Sequence, residues 1–486
     1  MSRPRPAGDP ARWPQACGRC GEHHQLVASW PDARVCGYCY QAAKRTTGVC
    51  SCGHQGVLPG RIGSRPTCRR CSGVQLNVDC QGCGGEAELH SDGRCRRCVL
   101  TTRVDRLLTN PDTGVMAAQL VPVAAALKTM QRPNSGLTWI NQPHVTSFLT
   151  GLAATPSISH QHLDTLPACR TRDYVRGLLV EHGALPRRDE RLARFRTWSE
   201  HAPARLPEGE HRDAVRRFIR WHLLRRMNTT GPVSEGTFLR SKQTTTVAID
   251  FLTWLTEHGT TLDRLTQADL DRWQAGGPST REIAGRFLGW AITNKLVDPN
   301  LRMRPHRRGT SAKLPAAQQD QALQAVVVHH PTHGLSPRDR LAVILVLVFG
   351  QQIEHAVQMT WDQVDLASEP ITLTIGNYPI ELRPPLDEPL RELHADPACA
   401  QTAAHATSRW IFPGSSPGQH LTSAHLRNRI KTLIAARAAR LGALHELTKL
   451  SPVPILAETL GYSPATIERH TTASAATYAR YIAARR

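Results

Sequence analysis

The stretch Leu341–Leu366, LAVILVLVFGQQIEHAVQMTWDQVDL, decides how this 486-residue chain is read. Nine apolar residues run without a break from Leu341 to Phe349. A membrane span needs roughly 20, so the run predicts an interior helix or two, buried on most sides. After Gly350 the pattern turns amphipathic. Ile353, Ala356 and Val357 fall at helical spacing, and the segment closes on Trp361, Val364 and Leu366.

Downstream, ITLTIG and YPIELRPPL alternate like the strands of a hairpin, Ile371–Ile375 and Tyr378–Leu382, turning at Gly376-Asn377. A helix is expected over Ser423–Arg440. It carries Arg427, Arg429, Lys431, Arg437 and Arg440 with no acidic residue, which makes it the best phosphate-facing element of the chain. Ile455–Arg469 reads as helix-turn-helix, with Ala457, Leu460, Gly461 and Ile467 packed and Ser463, Thr466, Glu468 and Arg469 exposed.

Upstream, Ala248, Phe251, Leu252 and Leu255 define one helical stripe within Glu235–Asp298. Thr266-Gln-Ala-Asp269 and Ser279-Thr-Arg-Glu282 read as capping-box starts of two more helices, with Trp273 and Trp290 in the core. The linker that follows carries Arg302, Arg304, Arg307, Arg308 and Lys313 and no acid. Before this region, Leu185–Met227 holds 12 Arg against six acids, with Val215, Phe218, Ile219, Leu223 and Leu224 as an apolar stripe. Residues 101–160 read as short helical pieces broken by prolines 111, 122, 133, 143 and 156.

These boxes resemble the tyrosine recombinase (phage integrase) family over about residues 235–486. Leu341–Leu366, ending in Met359-Thr-Trp361-Asp362-Gln-Val364-Asp365, is similar to the first box of its catalytic domain. Trp410-Ile-Phe412-Pro-Gly414 looks like the family's Leu-Phe-Pro entry, and Leu460-Gly461-Tyr462-Ser463 its Leu-Gly-His-Ser motif. FLTWLTEHG, LTQADLDRW and REIAGRFLGWAITNKL resemble its SAM-like core-binding domain. The resemblance implies two domains closing as a C-shaped clamp on double-stranded DNA, with the basic linker crossing it. It also implies a tyrosyl attack on a phosphodiester, supported by Arg, Lys, His-x-x-Arg and His. At the matching positions this chain has Gln352 for the first arginine, no lysine between Thr360 and Ala400, and Arg437-Ala-Ala-Arg440 for His-x-x-Arg. Tyr462 replaces the histidine and Thr471 stands where the nucleophile is expected, leaving Tyr478 and Tyr481 as candidate tyrosines further on. Neutral Gln352 donates hydrogen bonds but cannot clamp a phosphate as a charged fork.

The first hundred residues are different in kind. Twelve of the 14 cysteines form three sets of paired knuckles: Cys17, Cys20, Cys36 and Cys39; Cys50, Cys52, Cys68 and Cys71; Cys80, Cys83, Cys95 and Cys98. Such spacing matches zinc ribbons, predicting about three structural Zn²⁺ ions. In the irregular middle set His54 is an alternative ligand, and pairing across sets stays open. The segment carries 14 Lys and Arg against seven acids, a balance that three dianionic Zn(Cys)₄ sites bring near neutrality. Its arginines at 69, 70, 96 and 97 are local phosphate candidates, and a protein partner is an equal use for the array.

The expected architecture is therefore mainly α: a zinc-ribbon array over 1–100, a helical connector with a basic helix over 101–234, and a core-binding-like helical domain over 235–300. A basic linker over 301–320 and an α-rich recombinase-type domain with a small β-sheet over 321–486 complete it. A net charge of +20 points to nucleic acid. No apolar leader follows Met1 and no run is long enough to span a bilayer, so a cytoplasmic protein without a membrane partner is expected. DNA binding without strand cleavage, accessory to integration, recombination or replication, alone or as an oligomer on DNA, fits the residues best. An active recombinase with a repositioned tyrosine and a zinc-dependent interaction scaffold are the alternatives. No phosphate-cradling glycine loop, nucleophile elbow or carboxylate pair supports another enzyme class.

Overall fold

The computed structural model describes residues 6–304, 312–327, 335–395, 404–405 and 407–472. It divides into two compact units, one formed by Met1–Leu185 with Ala312–Arg486 and the other by Pro186–Ser311. Both are built mainly from α-helices, and the sheets have only two or three strands. Among the described residues no helix is long and apolar enough to cross a membrane.

The first unit opens on a threefold repeat. Hairpin β1 (Leu26–Ser29) and β2 (Arg34–Cys36) leads into α1 (Gly37–Arg45). Strands β3 (Thr47–Val49) and β4 (Gln55–Val57) flank the next knuckle, and hairpin β5 (Gly60–Ile62) and β6 (Arg65–Thr67) leads into α2 (Arg69–Ser72). Hairpin β7 (Leu89–Ser91) and β8 (Arg94–Cys95) leads into α3 (Arg96–Leu108). The shared apolar core is small, chiefly Trp30, Val35, Val57, Val74 and Val78, as befits a fold stapled by something other than hydrophobic burial.

Helix α3 continues out of the repeat and buries Val99, Leu100, Val104 and Leu108 against α4 (Val121–Thr129), α5 (Pro133–Ile140) and α6 (Pro143–Ala153). Helices α7 (His160–Thr165) and α8 (Arg170–Glu181) complete this core. The prolines expected as breaks do something else: Pro122, Pro133 and Pro143 sit in the first turns of α4, α5 and α6. A first-turn N–H has no intrahelical partner, so proline starts these helices at no hydrogen-bond cost.

The same unit ends in a helical domain around α16 (Pro337–Leu347), with α15 (Ala316–Val327) preceding it and α17 (Ile353–Ala356) following the Gly350 turn. Every residue of α16 from Asp339 to Leu347 is buried, as the apolar run predicts. The hairpin forms as β10 (Ile371–Thr374) and β11 (Pro379–Leu382), Ile371 opposite Leu382, with β9 (Val364–Asp365) on the other edge. Helices α18 (Glu388–Ala395), α19 (Ser423–Ile430), α20 (Ala436–Leu450) and α21 (Val453–Leu460) follow, and residues 464–472 are helical. The single helix expected over Ser423–Arg440 is in fact two. Ile430 and Ile434 both enter the core, and the chain turns between them and Ala435, which is extended. Arg427 and Arg429 therefore lie on a different helix from Arg437 and Arg440.

The second unit comprises α9 (Glu190–His201), α10 (Glu210–Arg217), a π-helical turn at Phe218–Leu224, α11 (Arg225–Thr229), α12 (Glu235–Glu257), α13 (Gln267–Ala275) and α14 (Gly285–Thr293). Phe195, Phe218, Phe251, Trp273, Phe287 and Trp290 share one core, so the expected boundary at 234/235 falls inside it. The Thr266–Asp269 capping box forms. The one at Ser279 does not: Ser279–Ala284 is a 3₁₀ turn after Pro278, where Arg281 lies over the Trp273 ring at 3.9 Å and donates to its carbonyl.

Candidate functional site

The three cysteine sets close within themselves. In each, the four sulfurs lie within 4.8 Å of one another, and no pairing across sets is needed. Sulfurs at the corners of a tetrahedron around a metal about 2.3 Å away would stand about 3.8 Å apart. Cys20–Cys36, Cys52–Cys68 and Cys80–Cys98 are separated by 3.9, 3.7 and 3.7 Å. The third cysteine of each set, Cys36, Cys68 or Cys95, is the N-cap of α1, α2 or α3, and the fourth lies in the helix's first turn. Sequence spacing carried no sign of these helices.

The third cysteine's N–H donates to the first cysteine's sulfur in every set, at 3.3, 3.4 and 3.1 Å. Burial pushes Cys17 up, but the N–H groups of Cys36, Arg19 and Cys20 outweigh it and bring the thiol to about 6. The N–H groups of Cys52 and Cys68 bring Cys50 to about 6, and those of Cys95, Cys83 and Gly82 do the same for Cys80 against its burial. Neighbouring sulfurs push Cys71 up to about 12, and burial with the same crowding does so for Cys98. Four sulfurs of this kind are a soft, thiolate-only donor set that fits a tetrahedral metal ion and is compatible with zinc. His54 is no ligand: its Nε2 lies 2.9 Å from Glu86.

The array's arginines mostly tie it together. Arg69 bridges Asp79 and Glu86, Arg45 and Arg96 both hold Glu88, and Arg97 donates to the carbonyls of Lys128 and Met130. Burial raises Glu88, but its two arginines prevail and hold the carboxyl at about 2. Of the four arginines proposed for phosphates, three are thus committed to internal partners and Arg70 is exposed.

In the C-terminal domain the first and last boxes meet. Gln351 is buried and donates to the Leu460 carbonyl at 3.0 Å, and the Tyr462 hydroxyl donates to the Gly350 carbonyl at 2.6 Å. Burial raises the Tyr462 hydroxyl, while hydrogen bonds from Arg440 and Gln352 pull it the other way. Two other positions singled out from sequence, Gln352 and Arg440, thus bear on the Tyr462 hydroxyl. Thr471 only bonds back to the Ile467 carbonyl at 3.2 Å. Tyr478 and Tyr481 lie outside the described residues, as do Arg307 and Arg308. The hairpin turn brings no cation: Asn377 N–H binds the Glu458 carbonyl at 2.8 Å, and a Cβ at Gly376 would collide with that carbonyl.

Sequence reasoning missed two neighbours of this locus, His445 and His470, and read a third, Lys313, only as a linker cation. Lys313 Nζ lies 2.9 Å from His445 Nδ1, fixed by Leu314, whose N–H binds the Ala438 carbonyl at 3.0 Å. His470 is lowered by burial and then by Arg440, Arg469 and Lys313, and His445 by burial and then by Lys313 and Lys449. The locus is electropositive and its histidines are disposed to neutrality. The one signal in the sequence is that His470 directly precedes Thr471.

The proposed DNA-contacting residues divide sharply. Arg429 forms a two-pronged ion pair with buried Asp339, and Arg427 pairs with Glu354. Arg302 donates to the carbonyls of Pro299 and Leu301, Arg304 pairs with Asp271 at 3.1 Å, and Arg469 bonds to Ala465 and Thr466 of its own helix. Lys431 and Arg437 are exposed and have no ion-pair partner among the described residues.

The chain thus combines an array of three Cys₄ sets with a C-terminal α-helical domain that carries a three-stranded sheet and one electropositive locus. Searched against known proteins, the chain matches no family model and no curated relative. It is similar to solved recombinase structures. One is the XerH site-specific recombinase bound to difH in a pre-cleavage complex, at 14% identity over 58% of this chain and 92% of that one, with a TM-score of 0.37. Another is a lambda integrase(75–356) dimer bound to a COC′ core site, at 12% identity, 51% and 92% coverage, and a TM-score of 0.35. An integrase from mycobacterium phage Brujita is similar at 16% identity, 54% and 90% coverage, and a TM-score of 0.24.

Proposed function

We propose that this chain is a DNA-binding protein of tyrosine recombinase type that does not cleave strands, and that it acts as an accessory to DNA integration, recombination or replication. The observation that carries the reading is Tyr462: where the resemblance calls for histidine stands a buried tyrosine whose hydroxyl donates to the Gly350 carbonyl at 2.6 Å. Stabilising a phosphorane takes several cationic or hydrogen-bonding donors, and each one lost typically slows reaction about 10²- to 10³-fold. With Gln352, Tyr462 and Thr471 at these positions, in-line attack has neither its charged clamp nor its nucleophile.

Phosphate binding asks less of the site than cleavage. Lys431 and Arg437 supply unpaired exposed charge, with Arg440 and Lys313 close by, for the backbone of double-stranded DNA. The Cys₄ sets hold three Zn²⁺ ions in this reading, and the array, with its arginines turned inward, serves a protein partner or the body of the chain. Duplex binding measured between 50 and 300 mM salt tests the DNA contact. Arg437→Ala and Lys431→Ala are expected to weaken binding uniformly across sequences, each reducing the salt slope by about one. Unchanged slopes in both would remove this surface from the interface.

A further inference from the structure

The second unit contains a cleft of about 740 Å³ between the π-helical turn with α11, α12 and α14. Helices that face each other in a core normally interdigitate apolar side chains. Here Gly285, Gly289 and Thr293 recur at every fourth residue of α14, and Thr237, Ser241 and Thr244 share a face of α12, so the facing surfaces stand open. A Cβ at Gly289 would meet nothing within 4 Å.

Three guanidiniums line this opening: Arg226, Arg240 and Arg286. All three are exposed, none has an ion-pair partner among the described residues, and no Asp or Glu lines the cleft. Elsewhere in the unit Arg205, Arg212, Arg216, Arg272 and Arg304 pair with carboxylates, so what distinguishes the cleft is that three unpaired guanidiniums share one concave space. His222, also at the cleft, is lowered by burial and further by Arg226 and Arg286, so the space carries a positive field. Phe218 and Trp290, their ring centroids 5.3 Å apart, back the cleft from the core, and the His222 ring stacks on Phe218 at its mouth.

We infer that this cleft binds a nucleotide unit, its phosphoryl groups held by Arg226, Arg240 and Arg286 and its base laid against the exposed His222 ring, which Phe218 and Trp290 support from the core. The volume lies within the range of about 300 to 1,000 Å³ usual for small-ligand pockets. Guanidinium forks suit phosphoryl oxygens, and aromatic faces accept any base. A base-paired nucleotide cannot bring both its base and its phosphates into such a space without leaving the stack. The unit is therefore supplied either as a free nucleotide or within a single strand, and the inference stands apart from duplex binding by the C-terminal domain.

The full, metal-loaded chain is titrated calorimetrically with adenosine triphosphate and with a 12-nucleotide single strand. Saturable binding of either probe is expected, weakened about 10- to 100-fold by Arg226→Ala, Arg240→Ala or Arg286→Ala. Gly289→Leu, which fills open space and favours the helix, should abolish binding with an unchanged melting temperature. Binding of the triphosphate identifies a free nucleotide, and binding of the oligonucleotide alone identifies a single strand. Two results overturn the inference: neither probe binds, or binding survives Arg286→Ala and Gly289→Leu undiminished. If these variants alter only duplex affinity, the arginines are surface phosphate contacts and the cleft reading also falls. Arg437→Ala, the control for the C-terminal surface, should leave probe binding intact.

Discussion

The cysteine array and the C-terminal domain treat their functional positions in opposite ways. In the array every ligand position is filled by cysteine, the local folds vary, and even the shortened Cys50-x-Cys52 knuckle closes a set of four sulfurs. In the C-terminal domain, on the reading proposed above, a frame is kept and its chemistry replaced, with Gln352 and Tyr462 where the resemblance calls for an arginine and a histidine. A metal set is a folding element, so losing one ligand costs the structure. A catalytic set is stabilised by nothing but its reaction, and its residues can be exchanged while the surrounding helices persist.

Metal removal should break the comparison most visibly. Apparent binding energies of structural zinc sites run to about 10 to 16 kcal/mol, so chelation is expected to unfold residues 6–95 while leaving the C-terminal domain folded. Circular dichroism with a metal-release assay checks this, and a stoichiometry of three per chain is expected. Cys50→Ser should reduce it to two. Retention of three, or an array that stays folded without metal, would contradict its role as the folding element.

A smaller effect is expected from Asp339→Ala, which strips Arg429 of its partner and leaves α19 untied from α16. Breaking a fully buried pair costs about 3 to 5 kcal/mol. Arg429 is 40% exposed, so solvent screening reduces the expected loss to about 2 kcal/mol in denaturant unfolding. The same pair fixes a pH dependence. Burial raises Asp339, but hydrogen bonds from Arg429 and Ser336 leave it lowered overall. A carboxyl lowered on folding stabilises above its unfolded value near 4 and ceases to do so as pH falls through its folded value. Acid unfolding of the wild type should show this loss below about pH 4, and Asp339→Ala should lack it.

The smallest expected effect is that of Tyr462→Phe. It removes the hydrogen bond to Gly350 and should cost about 1 kcal/mol of stability, with duplex affinity unchanged. A loss of affinity beyond about tenfold would instead place the phenol in contact with DNA.

Much of both regions was legible because the signals are local. The unbroken run at Leu341–Phe349 encodes α16, the alternation around Gly376 encodes the hairpin, and knuckle spacing marks the twelve cysteines, though only the folded chain shows that each set of four closes within itself. What was not legible depends on partners far apart in sequence. Arg429 carries the same sequence signal as Arg437, but Asp339, 90 residues away, claims it. Lys313, legible only as one cation of a basic linker, reaches His445 across 132 residues. The break between α19 and α20 was hidden because Ile430 and Ile434 fit an uninterrupted helix equally well until the core draws both inward.

The central claim, that the recombinase frame survives here without its cleavage chemistry, is tested most directly with nicked suicide duplexes bearing the protein's native flanking DNA. The metal-loaded chain is incubated with them, and the mixture is run both undenatured and denatured. A salt-sensitive complex that leaves no covalent protein–DNA adduct after denaturation is the predicted result. An adduct that disappears in Tyr478→Phe or Tyr481→Phe would contradict the account and establish an active recombinase with a repositioned tyrosine.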